Sequence, residues 1–139
     1  MNTFVGNRIL LSVYILVTLG LCFMRSEYIP TTCSRIGTEI ADGIGISGDK
    51  IVHSLLFFPL PPLTMRAIGY VGRKYPYRLW GGIMIAGILL GGAIEWLQGL
   101  SGYRSCDIGD FWADCIGILF GGGLVLHRKR IKSKIGFVK

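Results

Sequence analysis

The sequence predicts an all-α membrane protein: four transmembrane helices in an antiparallel bundle, with both termini cytoplasmic. Three observations point there. Hydrophobic residues make up 51% of the 139 residues and charged ones only 17%, with a mean hydropathy of +0.54, which is high for a soluble domain of this size. The apolar residues gather into four segments of roughly 16 to 21 residues, near the length an α-helix needs to cross a bilayer. The basic residues fall between those segments, and mostly on alternate connections. The length is that of one domain, so residues 1–139 are read as a single membrane domain.

The first segment, residues 9–24, has only Ser12 and Thr18 as clearly polar members. It is slightly short, which places its ends near the headgroups. It is expected to be a retained helix rather than a signal peptide, because no small-x-small cleavage site follows Met24 and the apolar run is long for a signal. Bulky Leu21 ahead of Cys22 argues against lipoprotein processing. The long connection that follows is expected to hold a short interfacial helix at residues 34–41. The second segment, residues 51–71, contains Pro59, Pro61 and Pro62, which remove backbone donors, break or kink the helix and free carbonyls. The third and fourth segments are residues 79–97 and 108–126, followed by a basic tail at 127–139. Trp80, Trp96, Tyr103 and Trp112 fall near the predicted interfaces, as an aromatic belt would.

Orientation follows from Lys and Arg. Arg8, the 66–78 connection (Arg66, Arg73, Lys74, Arg78) and the tail carry eleven of the fifteen. The opposite side carries Arg25, Arg35, Lys50 and Arg104. The positive-inside bias therefore puts both termini in the cytoplasm and the 25–50 and 99–106 connections outside. The tail is a topology determinant with attraction for anionic lipid as a by-product. All eight acids lie on or toward the outer side. A net charge of +7 built this way is a membrane pattern, not the basic face of a nucleic-acid-binding fold, so no nucleic acid partner is expected. Cys33 and Cys106 share the outer, oxidising side, where a disulfide between them is chemically allowed.

Helical periodicity then sorts the polar residues. At 100° per residue, Asp107, Asp110, Asp114, Gly117 and Gly121 share a face about 80° wide, and so do Gly87, Gly91, Glu95 and Gln98. Small residues let helices approach closely in lipid, so Gly87, Gly91, Gly117 and Gly121 are the expected helix-packing surface between the third and fourth helices. That packing would bring Glu95 and Gln98 toward the acids. Asp49 and His53 are one turn apart on the second helix, with Lys50 beside them. The candidate site is thus an outer-face polar cluster of Asp49, Lys50, His53, Glu95, Gln98, Arg104, Asp107, Asp110 and Asp114. Within it, His53, Glu95 and Asp114 are the candidate ligands for a divalent metal.

These residues also carry a resemblance. "DKIVH" at 49–53, Glu95-x-x-Gln98, and "GYRSCDIGDFWADCIGILFG" at 102–121 resemble, in order and spacing, the VanZ-like family of small bacterial integral membrane proteins. The likeness covers roughly residues 47–121. Asp114 departs from it, standing where the resemblance leads one to expect Asn, and the proline cluster is unusually rich. The resemblance implies a multi-pass protein of the bacterial cytoplasmic membrane with a role in the cell envelope, in a family named for low-level resistance to the glycopeptide teicoplanin. It supplies no reaction.

Each cluster residue also has a purely architectural reading. Asp107 is well placed as a helix N-cap, with Asp110 as its capping-box partner, and both favour the positive end of the helix dipole. Arg104 suits a pair with Asp107 or a phospholipid phosphate. Asp114 is different: it lies about 10 Å deeper along the helix than Asp107, beyond any capping role. A carboxylate there costs about 2.5–3.5 kcal/mol unless paired or protonated. Two function classes follow. Either the cluster handles an envelope component, such as a lipid-linked cell-wall intermediate or the glycopeptide that attacks it, or the protein is a non-enzymatic membrane partner or scaffold whose cluster fixes helix packing. Proton-coupled transport is disfavoured, because no acid lies in the inner half of any helix.

Overall fold

The structure is a computed structural model that describes residues 3–23, 48–70, 76–102 and 107–135, with side chains up to residue 127 in the last stretch. The expected interfacial helix at 34–41, Cys33, Arg104 and Cys106 lie outside the described residues. All described elements are helical: α1 (Thr3–Cys22), α2 (Gly48–Phe57), α3 (Leu60–Ala67), α4 (Tyr77–Leu100) and α5 (Ile108–Ile135). Three stretches, Thr3–Cys22, Tyr77–Leu100 and Ile108–His127, are long and apolar enough to cross a membrane. In hydrocarbon every backbone polar group needs an internal partner, and a helix supplies it within one segment.

The second predicted crossing differs from its expectation. Residues 51–71 do not form one helix but two short ones, and the prolines dictate where the break falls. Pro59 is the N-cap of α3, and Pro61 and Pro62 follow in its first turn. The first N–H groups of any α-helix have no intrahelical partner, so prolines placed there cost α3 no hydrogen bond. Its ladder starts with Leu63 N donating to Pro59 O at 3.0 Å, just after α2 closes with Phe58 N to Ser54 O at 3.0 Å. At its far end α3 stops at Gly69, whose φ of +77° favours a residue without a Cβ. Gly69 N bonds Arg66 O and Tyr70 N bonds Met65 O, each at 3.1 Å, which satisfies the last carbonyls in a Schellman arrangement.

The other bounds shift as well. The first helix starts at Thr3 rather than residue 9, and the fourth continues to Ile135, through much of what the sequence suggested was a tail.

Contacts give the directions. Asn7 and Arg8 of α1 donate to Arg66 O and Ala67 O, each at 3.4 Å, and Tyr14 donates to Leu56 O at 2.8 Å, so α1 runs antiparallel to the α2–α3 pair. Glu95 accepts from Asp107 N at one end of α4, and Trp80 donates to Gly122 O at the other, at 3.2 Å, so α4 and α5 are antiparallel. Trp80 is thereby half-buried and hydrogen-bonded, whereas Trp96 and Trp112 are exposed at the opposite end. The core between them is Cys22, Phe57, Leu60, Met84, Ile94 and Ile118. A broad belt of exposed Leu, Ile, Val and Phe surrounds it, including Leu16, Ile85, Leu89, Leu119 and Phe120. So large an apolar surface suits lipid, not water.

The glycines pack differently from their expected pairing. Gly87 and Gly91 do face α5, making room for Ile118 and for the Asp114 carboxylate. Gly117 and Gly121 instead face the α2–α3 junction, where a Cβ on either would run into the carbonyl oxygen of Ser54 or Phe58 respectively. α5 therefore holds α2 through backbone contact and α4 through side chains.

Candidate functional site

The Ser54–Gly117 and Phe58–Gly121 contacts place α2 parallel to α5 with almost no gap, so residues one and two turns earlier on each helix must meet as well. They do. His53, Glu95, Asp110 and Asp114 are all buried, Asp114 completely. His53 Nδ1 lies 3.0 Å from Asp114 Oδ1 and 3.7 Å from Glu95 Oε1. On the other side of the ring, Nε2 faces Asp110 Oδ2 at 3.9 Å, too long for a hydrogen bond. One imidazole thus has carboxylates against both nitrogens.

Above it, nearer the end of the bundle, Lys50 Nζ donates to Asp107 Oδ2 at 2.8 Å and to Asp110 Oδ1 at 3.2 Å. The ammonium beside Asp107 holds that carboxyl below its ordinary range, helped by the Gly109 N–H. Gly109 was not anticipated as part of the site. A Cβ there would collide with the Lys50 side chain, so the glycine leaves the path by which Lys50 reaches both acids.

The N-terminus of α5 is capped as expected at one position and not at the other. Asp107 Oδ1 accepts Gly109 N at 2.7 Å, the N-cap bond. Asp110 does not close a capping box. The Asp107 N–H that a box partner would accept goes instead to Glu95 Oε2 at 3.2 Å, from α4, which frees Asp110 for Lys50. A local motif is replaced by a tertiary one, and the exchange locks Glu95 in place.

Gln98 leaves the cluster. Although it shares a helix face with Glu95, its Nε2 donates to Cys22 O at 2.7 Å, tying α4 to the last turn of α1. Asp49 is exposed, and its carboxylate, His53 and Asp110 can bring ligand atoms within 4.8 Å of one another. His53, Glu95 and Asp114 form a second such group, and this one is buried throughout. Among the described residues, Glu95 Oε1 and Asp114 Oδ2 are buried without a hydrogen-bond partner. Buried carboxylate oxygens are normally satisfied, and leaving one bare is costly.

Chemically the arrangement offers a buried imidazole between acids for proton transfer, and oxygen and nitrogen donors converging on one point. No protein-family model, curated protein or solved structure matches this chain.

Proposed function

We propose that this is a VanZ-like integral membrane protein of the bacterial cell envelope, whose polar cluster faces outward and handles a lipid-linked envelope component, lowering susceptibility to teicoplanin-type glycopeptides. The observation that carries the proposal is the convergence of Lys50 and His53 from α2, Glu95 from α4, and Asp107, Asp110 and Asp114 around α5, the residues on which the family resemblance also rests. A purely structural network would satisfy its own buried oxygens. This one leaves two bare in its interior.

In this proposal the chain crosses the cytoplasmic membrane four times, with α2 and α3 together making the second crossing and both termini cytoplasmic. The distribution of charge supports it. Asn7 bonds Arg66 O and Arg8 bonds Ala67 O, which puts both arginines at the end of the bundle away from the acids, the cytoplasmic end by the positive-inside bias. Reporter fusions at residues 102 and 139 then report opposite compartments, and a shared compartment removes the outward-facing site.

The functional test compares teicoplanin and vancomycin susceptibility in a host carrying no copy, the native chain, or variants confirmed to be membrane-inserted. His53→Ala, Glu95→Ala and Asp114→Ala are expected to abolish the effect, and Asp114→Asn to be tolerated better, since it keeps shape and hydrogen bonding. No effect of the native chain removes the resistance reading. An effect that survives every substitution moves the function elsewhere in the chain. A second reading, that of a non-enzymatic membrane scaffold, draws on Gln98 and Asp107, whose bonds to Cys22 O, Glu95 and Lys50 tie helices together rather than serve a ligand. It expects cluster variants to lose folded protein and activity in parallel.

A further inference from the structure

We propose that His53 Nδ1, Glu95 and Asp114 form a binding site for one first-row divalent metal ion of the zinc type. This deepens the reading of the cluster given above and concerns the same residues, but it stands on geometry that can be tested without any cellular phenotype.

Three donors from three helices converge, with Nδ1 3.0 Å from Asp114 Oδ1 and 3.7 Å from Glu95 Oε1, and all three ligand atoms within 4.8 Å of one another. A tetrahedral ion bound at about 2.0–2.1 Å sets its ligand atoms about 3.3 Å apart, inside the range of the two nitrogen–oxygen separations. The second observation is the pair of orphaned oxygens. Glu95 is 3% exposed and Asp114 0%, and each turns an unpartnered oxygen into the protein interior. Glu95 Oε2 is held by the Asp107 N–H, which aims Oε1 at the imidazole.

The other occupants of such a space account for less. A proton on Nδ1 serves Asp114 Oδ1 and leaves Glu95 Oε1 and Asp114 Oδ2 bare. The Lys50 ammonium is engaged by Asp107 and Asp110. A divalent cation at this point engages Glu95 Oε1 and Asp114 Oδ1 together, and the two negative charges with a neutral imidazole cancel its own. Binding requires the Nδ1 lone pair: an imidazolium releases its Nδ1 proton to solvent and keeps the one on Nε2, a neutral ring protonated on Nδ1 shifts that proton to Nε2, and any carboxyl proton is released. That nitrogen faces Asp110 Oδ2 at 3.9 Å, and a shift of about 1 Å on metal binding would complete the carboxylate–histidine–metal hydrogen bond that orients metal-bound imidazoles. An imidazole donor with only two carboxylates suits zinc or manganese better than magnesium or calcium, which take mostly oxygen ligands in larger number. Three protein ligands leave a position for water or for an anionic group of a ligand.

The test uses the full chain without a histidine tag, purified in detergent and supplied with zinc, manganese or cobalt alone, then freed of excess metal. The folded, monodisperse fraction is expected to retain about one ion per chain by elemental analysis, with zinc raising the melting temperature. Glu95→Gln and Asp114→Asn keep side-chain shape and are expected to lose the ion while retaining helical circular dichroism. His53→Ala is expected to lose it too, and the two isosteric variants decide the matter if that variant fails to fold. Asp110→Asn is expected to weaken binding about 10- to 100-fold without abolishing it, the effect of removing an outer partner. Native protein that retains none of the three metals overturns the proposal, as does retention by Glu95→Gln and Asp114→Asn equal to the native chain. Native protein that retains metal but leaves glycopeptide susceptibility unchanged would remove the envelope reading alone, and native protein that retains no metal yet alters susceptibility would remove the metal alone.

Discussion

Replacing Gly121 by Ala isolates the contact on which the site's geometry rests. Two effects compete. A glycine inside a helix is about 1 kcal/mol less favourable than alanine, so the substitution gains that much wherever the helix is otherwise unconstrained. Gly123, two residues on, has nothing within 4 Å of a built Cβ, so Gly123→Ala measures this gain alone. At Gly121 the new methyl meets the carbonyl oxygen of Phe58, with Phe58 C at 3.0 Å and Pro61 Cδ at 3.2 Å, and none of these is the free end of a flexible side chain. Overpacking of a filled interface costs about 1–3 kcal/mol, and an unyielding backbone obstacle belongs in the upper part of that range. The expected difference between the two variants is therefore about 2–3 kcal/mol or more, with Gly121→Ala the less stable. Gly117→Ala is expected to behave like Gly121→Ala, its obstacle being Ser54 O. Gly122→Ala should cost less, because the atoms it meets are the thioether end of Met84, which can rotate away. Thermal unfolding of the four purified variants in one detergent measures the order. Equal stability of Gly121→Ala and Gly123→Ala would refute the backbone contact between α5 and the α2–α3 junction, and with it the register that brings His53 to Asp114.

Two further predictions rest on single bonds. Gln98→Leu removes the hydrogen bond to Cys22 O, an interhelical bond of a kind worth about 0.6 to 1.7 kcal/mol in membrane proteins. In a background with the other cysteines replaced by Ser, the buried Cys22 thiol is expected to be labelled faster in Gln98→Leu than in its parent, and an unchanged rate would show that α1 is held by other contacts. The Lys50–Asp107 pair gives a pH dependence of definite sign. Because the folded carboxyl is depressed, its contribution to stability is present above the ordinary Asp pKa of about 3.9 and is lost as pH falls through the lower folded value. Lys50→Met removes the main cause of that depression and is expected to move the Asp107 titration, followed by carboxyl-carbon NMR, upward toward its ordinary range. An unmoved titration would mean that Gly109 N, not Lys50, sets it.

Much of the candidate site is legible in the chain order. The spacing 107–110–114 on one helix face and 49–53 on another identifies the acids and the histidine as partners of a packing surface, because a helix of known period in an apolar setting must turn its polar residues inward. Gln98 shows where that logic stops. It shares a face with Glu95, but a face faces several neighbours along its length, and three residues C-terminal to Glu95 the neighbour is α1 rather than α5. Asp110 shows the same for local motifs. The S/T/D-x-x-D/E spacing predicts a capping box, but Glu95 from another helix reaches the Asp107 N–H, and no sequence window contains both residues' surroundings.

By itself the sequence determines the helical class, the apolarity of α1, α4 and α5, and that the second segment breaks at its prolines. These follow from local physics: hydrocarbon demands internally satisfied backbone, and prolines at 59, 61 and 62 are tolerated only where a helix begins. Only the tertiary structure decides which helix each glycine face meets, that Gly117 and Gly121 admit the carbonyls of Ser54 and Phe58 rather than α4, and that His53 is therefore drawn deep enough to lie between Asp114 and Glu95. Periodicity defines a direction around a helix axis, whereas contact requires knowing what stands in that direction, and that is settled by the close packing of the described helices together.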